Sequence, residues 1–228
     1  MKVTNAKVYD LAGAIVGSSL PMSVNMSSED FERQSEALDV YLKHPDILEK
    51  DKDFSDMHKE AIERHLRRAR RLASCKGGES HDCFLCGILV SANIKAPKKW
   101  WEEFQRYHFN EIVSASSTMH KAGPIVVQPN LDEMFEESIL KEPELKAFFE
   151  RKKREYEDNK NNKEWLDALR FCLPLGTYQT ARVTMNYRSL KTMYHQRHNH
   201  QLKEWRDFCE WIKTLPLSFD LIIGINQD

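Results

Sequence analysis

Residues 180–200 read TARVTMNYRSLKTMYHQRHNH. The first seven, TARVTMN (180–186), are rich in β-formers and read as a strand. Ser189 then opens a long helix that runs to about Thr214 and is ended by Pro216. Asn186 and Arg188 therefore stand at a strand-to-helix junction, with Arg197 nine residues after Arg188. Nine residues are about 900° of helical rotation, so the two arginines point to opposite sides if both are helical. They serve one pocket if Arg188 precedes the helix, and two pockets otherwise.

Working outward, residues 2–10 (KVTNAKVYD) read as an edge strand, and 13–28 as a loop or set of turns rich in Gly, Ser, Pro and Asn. Ser27 or Ser28 caps a helix to about Lys43, before His44-Pro45. A second helix covers about 55–73, with Ala61, Leu66, Ala69 and Leu72 at near-helical spacing, and Gly77-Gly78 stops it. Residues 83–94 (CFLCGILVSANI) read as a strand. Pro97 opens a short helix with Trp100, Trp101, Phe104, Tyr107 and His108 as its apolar stripe. Residues 130–164 turn strongly charged and end as solvated helix and loop. With no Pro/Gly-rich linker around it, this is a charged helical insertion in a single domain spanning 1–228. Strands interspersed with helices, without a regular βαβ beat, predict an α+β fold: a mixed β-sheet flanked by helices, with a long C-terminal helix.

The 228 residues carry 34 Lys+Arg against 35 Asp+Glu, a formal net charge of −1, and 41% are hydrophobic. That balance argues against disorder, coiled-coil rods and a general nucleic-acid coat. No apolar run is long enough for a membrane span. Leu11–Gly17 (LAGAIVG) follows Asp10 and is too short for a secretory core. Five cysteines, an odd number, fit free thiols in a reducing, cytoplasmic compartment.

Cys75, His81, Cys83 and Cys86 are the densest cluster of metal-ligand types. On a strand, Cys83 and Cys86 point to opposite faces, so buried free thiols are preferred and no metal is expected. A thioredoxin-like pair opens a helix, which this stretch does not read as. Arg64, Arg67, Arg68, Arg70 and Arg71 form a basic helix that reads as a solvated face rather than a nucleic-acid surface. His195, His198 and His200 lack a carboxylate at ligating spacing. Dinucleotide, P-loop and nucleophile-elbow motifs are absent. Arg106-Tyr107-His108 is followed by Ser114-Ala115-Ser116-Ser117-Thr118, which is either an anion cradle or a polar turn.

His81, Lys95-Ala96-Pro97, Arg106, the Ser-rich turn, and Asn186-Tyr187-Arg188-Ser189-Leu190 with Arg197 occur in the order found in flavin-dependent thymidylate synthases (ThyX). The chain resembles a divergent, phage-type member of that family over roughly 61–118 and 180–211. The resemblance implies FAD contacts at His81, Arg106, Tyr107, His108, Asn186 and Arg188. It implies nucleotide contacts at Ser114, Ser116, Ser117 and Thr118, with Arg197 holding and polarising the uracil of dUMP. It further implies methylenetetrahydrofolate as carbon donor, NADPH as reductant, no cysteine nucleophile and a homotetramer. The pattern departs from the family's at Tyr107 and His108 in the Arg-His-Arg motif, at Ser114 for an acid, at Thr118 for an arginine and at Cys86 for a glutamate. A shifted register brings His120 to the last arginine position but breaks the Arg106 match. The departures leave open a fold relative that binds nucleotide without turnover.

Overall fold

The structure, a computed structural model, describes residues 1–75 and 80–224. Strands β1 (Lys2–Tyr9), β2 (Leu89–Pro97), β3 (Glu111–Ala115) and β4 (Tyr178–Asn186) form one sheet in the order β1-β2-β4-β3. Before β2 come helices α1 (Leu11–Gly17), α2 (Ser28–Lys43), α3 (Ile47–Lys50) and α4 (Lys52–Ala73). After it follow α5 (Lys98–Phe104), α6 (Thr118–Val126), α7 (Glu137–Lys141), α8 (Pro143–Asn159) and α9 (Lys163–Phe171). Beyond β4 come α10 (Tyr187–Arg197) and α11 (Lys203–Lys213). The α+β class read from the sequence is the class observed.

The chain divides into two compact units, one of residues 1–5, 92–184 and 202–208, the other of 6–91, 185–201 and the chain from 209 on. In the first unit β3 pairs antiparallel with β4, Glu111 opposite Thr184 and Ala115 opposite Ala181. Arg182 of β4 donates to the Asn5 carbonyl of β1 at 2.9 Å and to Asn93 Oδ1 of β2 at 3.2 Å, so one guanidinium ties three strands together. Apolar packing falls into two clusters. Trp100 lies between Phe104 (ring centroids 4.8 Å apart) and Trp205 (4.9 Å), with Trp101 and Phe208 beside it. Elsewhere Phe135 stacks on Phe149 at 4.4 Å, among Ile125, Val126, Leu131 and Leu169. Gly123 is required there, because a Cβ would sit 2.2 Å from the Tyr156 ring. The charged stretch thus contributes the fully buried Phe149 as well as a solvated face.

In the second unit, α2 starts where Ser27 Oγ accepts the Asp30 N–H at 3.0 Å, and α4 where Asp51 accepts that of Phe54 at 2.9 Å. Each cap satisfies a donor the first turn leaves orphaned. Their apolar faces, with Leu38, Ile62, Leu66 and Ala69, are buried together with Ile15 and Val16 of α1.

Three local expectations are overturned. The segment 13–28 is not all loop: Leu11–Gly17 is helical, because Ala12, Ile15 and Val16 gain burial that outweighs the helix cost of its glycines. Cys83–Cys86 is a 3₁₀ turn, and the strand begins only at Leu89. The long C-terminal helix is two helices, broken over 198–202, with the His198 ring stacked on Tyr194 at 5.5 Å. Gly77 and Gly78 lie outside the described residues. Among the described residues no helix is long and apolar enough to cross a membrane.

Trp100→Ala should cost about 3–5 kcal/mol of unfolding free energy in a urea titration. Trp100→Phe should cost less, since the deleted indole N–H has no acceptor. His65, 2% exposed, bonds Gln34 Oε1 at 2.7 Å. Burial, then the charges of Arg68 and Arg64, push its pKa down to about 4. The unfolded chain therefore takes up that proton first as pH falls. Stability present above about pH 6.5 should be lost between there and about pH 4, and His65→Gln should flatten that slope.

Candidate functional site

The junction after β4 has no loop. Asn186 keeps an extended backbone (φ −125°, ψ 165°), and its Oδ1 accepts the Ser189 N–H at 2.8 Å. Ser189 Oγ accepts the Asn186 N–H in return, at 3.3 Å. This reciprocal cap starts α10 at Tyr187 and sets the rotational phase of every later residue. Arg188 and Lys191, three residues apart, then share one face.

That face meets Asp82, which is 6% exposed. Arg188 Nε lies 3.1 Å from Asp82 Oδ1, and Lys191 Nζ lies 2.9 Å from Oδ2. Lys191 also donates to the Ala73 carbonyl at 2.7 Å. The Cys86 side chain also lies beside the Arg188 guanidinium. Partial burial pushes the guanidinium pKa down, but Cys86 and the nearby Asp82 charge outweigh it and hold Arg188 more firmly protonated than usual. His81, next to Asp82, is exposed. Sequence reasoning missed Asp82 and Lys191, although the three-residue spacing of Arg188 and Lys191 was a usable signal.

Both arginines of the quoted stretch lie in α10, Arg188 in its first turn and Arg197 at its last position, so they project from opposite sides. Arg197 is half-buried, and its charge is felt at Cys209. The histidines serve packing: His195 Nε2 bonds the Ile222 carbonyl at 3.1 Å, and His198 Nδ1 the Tyr194 carbonyl at 3.1 Å.

In the other unit, Arg106 and His108 are exposed in the turns after α5, and the Tyr107 ring packs on Trp205 at 5.6 Å. Ser114 is exposed in β3, opposite Arg182. Ser116 is knitted to β4: its N–H donates to the Thr180 carbonyl at 2.8 Å, and its Oγ accepts the Thr180 N–H at 3.1 Å. Ser117 Oγ caps α6 by accepting the His120 N–H at 3.2 Å. Ser116, Ser117 and Thr118 line a cavity of about 210 Å³ with Lys121, Gln128 and Tyr178. The Lys95 ammonium lies over the Tyr178 ring, 5.3 Å from its centroid. Thr118 lines the cavity and His120 does not. Among the described residues the hydroxyl protons of Ser116, Ser117 and Thr118 have no acceptor, so the Ser-rich segment is a turn and also a donor-rich wall. Lys121 and Tyr178 are cavity residues that the linear reading did not single out.

Of the expected residues, Ser116–Thr118 come together around one cavity, Asn186 and Arg188 within one turn, and Arg197 stands opposite Arg188 on α10. The thiols differ from expectation: only Cys209 is buried, while Cys83, Cys86 and Cys172 are exposed. Among the arginines of α4, Arg64, Arg67 and Arg71 are exposed, in keeping with a solvated face, whereas the half-buried Arg70 pairs with Asp220 at 3.0 Å.

A family model described as Thy1, thymidylate synthase complementing protein, matches residues 19–215. No curated protein matches the chain. Among solved structures, the flavin-dependent thymidylate synthase ThyX from Helicobacter pylori, complexed with FAD and dUMP, is similar with a TM-score of 0.64 and 14% identity over 97% of each chain. A second H. pylori ThyX structure with FAD and dUMP has a TM-score of 0.56 and 17% identity, over 81% of this chain and 92% of that one. The UMP/dUMP methylase PolB from Streptomyces cacaoi, bound with 5-Br dUMP, has a TM-score of 0.56 and 12% identity, over 97% of this chain and 95% of that one. At such identities the likeness is one of fold.

Asp82→Ala should leave two cations facing each other without their shared counter-ion. Removing one partner of a fully buried pair costs about 3–5 kcal/mol. Arg188 keeps 35% of its side-chain surface, so about 2–4 kcal/mol is expected here by chemical denaturation.

Proposed function

The chain belongs to the Thy1 family of thymidylate synthase complementing proteins, and from that membership we propose that it is a flavin-dependent thymidylate synthase-like enzyme. Its substrate is dUMP or a related pyrimidine nucleotide, reductively methylated on the uracil ring. Methylenetetrahydrofolate is the carbon donor, FAD the cofactor and NADPH the reductant, in the cytoplasm. The observation that carries this reading is the cavity in which Ser116, Ser117 and Thr118 sit with Lys121. Hydroxyls with unclaimed protons beside an ammonium suit a phosphate monoester. Lys121 supplies the positive charge that the family pattern puts at the position held here by Thr118. Neighbours of the same fold bound to dUMP and 5-Br dUMP support the same ligand class.

The residues expected at FAD fit it by their donor chemistry. Arg188 retains N–H groups beyond those turned to Asp82 and Cys86, the Asn186 amide nitrogen has no acceptor among the described residues, and His81 and Arg106 are exposed. Such donors match the carbonyl and pyrophosphate oxygens of a flavin dinucleotide. When bound, the flavin supplies the electron pair that completes the methyl group. Arg188 and Asn186 bind and orient the ring, with Asp82 fixing the direction of Arg188. Arg197 donates to the uracil carbonyls and stabilises the charge that builds there. Ser116, Ser117, Thr118 and Lys121 hold the phosphate end, with Ser114 at the margin. No cysteine attacks the pyrimidine. Because Arg188 and Arg197 leave α10 on opposite sides, we assign them to different sites of a homotetramer, each site drawing on more than one copy of the chain.

A second reading, nucleotide binding without turnover, is favoured by the Tyr107 ring, which is spent on Trp205 rather than left free as the family's histidine position requires.

The absorbance spectrum of the purified protein tests both. A bound flavin whose bands shift on adding dUMP, with dTMP formed, is expected. Lys121→Gln should raise the Kd for dUMP about tenfold, the worth of one charge-assisted bond, while leaving flavin content unchanged. A protein that stays colourless after incubation with FAD, and forms no dTMP, would overturn the first reading. Nucleotide binding in that colourless protein would leave the second.

A further inference from the structure

The Cys83-Phe84-Leu85-Cys86 turn is absorbed by none of the roles above. It is one turn of 3₁₀ helix, closed by Leu85 N–H to the Asp82 carbonyl and Gly87 N–H to the Phe84 carbonyl, each at 3.0 Å. Three residues make a full 3₁₀ turn, so positions three apart eclipse, and a rise of about 2 Å per residue puts their Cα atoms about 6 Å apart. A disulfide spans Cα separations of roughly 4.4–6.8 Å. Burial follows the same period: Cys83 and Cys86 are exposed, Leu85 is fully buried and Phe84 is half-buried. Leu85 anchors the turn, and the two thiols stand together on its outer side. Arg188, tied to Asp82 at 3.1 Å, stands beside Cys86 of this pair.

We propose that Cys83 and Cys86 are a vicinal dithiol that closes to a disulfide by exchange with small-molecule disulfides, withdrawing the Cys86 sulfur from Arg188. One thiol, as its thiolate, attacks the small disulfide, forming a mixed disulfide and expelling one thiolate of the oxidant. The second cysteine, deprotonated, attacks the protein-side sulfur of that mixed disulfide and expels the other. Two cysteine thiols are oxidised, one small disulfide is reduced to two thiols, and both protons end on the released thiols. The buried Cys209 takes no part, since burial pushes its thiol up to about 12.

Closure itself does not depend on the proposed enzyme activity; its effect on flavin does. The full-length protein is equilibrated in glutathione buffers of increasing oxidised fraction, alkylated and digested with trypsin. Both cysteines fall between Lys76 and Lys95, on a peptide separate from the other three. The expected product is this peptide with neither thiol alkylated, two hydrogens lighter and without bound glutathione. Cys83→Ser and Cys86→Ser should each stop at a glutathione adduct on the remaining cysteine. Two alkylated thiols in the most oxidising buffer, or a wild-type glutathione adduct that does not close, would overturn the proposal. In parallel, closure should weaken FAD binding about fivefold, the worth of one ordinary polar contact, with no change in an identically treated Cys83→Ser/Cys86→Ser double variant, which has no thiol in this turn to modify. Closure with unaltered FAD affinity overturns the link to Arg188. Closure in a protein that binds no FAD in either state refutes the flavin reading and leaves the dithiol standing.

Discussion

The reciprocal cap between Asn186 and Ser189 lets β4 pass into α10 without a connecting residue. Because the cap pins the first turn, it also sets the angle at which every side chain leaves the helix. Arg188 and Lys191 are thereby delivered to the two oxygens of one buried carboxylate, and Arg197 is sent the opposite way. A slip of a single residue at this junction would turn α10 by about 100° and separate both cations from Asp82. The cluster is expensive to hold, since Asp82 is almost out of solvent, and it persists because each of its oxygens has its own cation.

The Ser-rich segment works by a different division of labour. The oxygens of Ser116 and Ser117 accept backbone N–H groups and so hold β3 to β4 and start α6. A hydroxyl oxygen that accepts still has a proton to give, and Ser116, Ser117 and Thr118 all line the cavity shared with Lys121. Structural duties and unspent donors therefore coexist in the same side chains. The chemistry suited to a phosphate is present although the arginine of the family pattern is not.

Local signals served well wherever a helix cap, an apolar helical spacing or a run of β-formers was present. Ser27 and the approach to Pro45 bounded α2, the apolar spacing located α4, and the β-formers of 180–186 located most of β4. They failed where burial decided the outcome. In 11–17 the glycines suggested turns, yet Ala12, Ile15 and Val16 of that stretch are buried and the segment is helical. The break over 198–202 carries no glycine or proline, and its sequence signal is the weaker one of Asn199 just past the end of α10.

What the amino-acid order determined by itself is local and angular: a strand handing over to a helix at Asn186, a nine-residue interval that opposes two arginines, and three hydroxyls one step from an ammonium. Such features need only bond geometry and neighbours within a few turns. The tertiary structure alone decided which carboxylate answers Arg188 and Lys191, since Asp82 lies 109 positions before Lys191. It also decided that CFLC winds as a 3₁₀ turn rather than extending as a strand. In both cases the energy comes from burial and from ion pairing in a desolvated setting, and those depend on which distant segments meet.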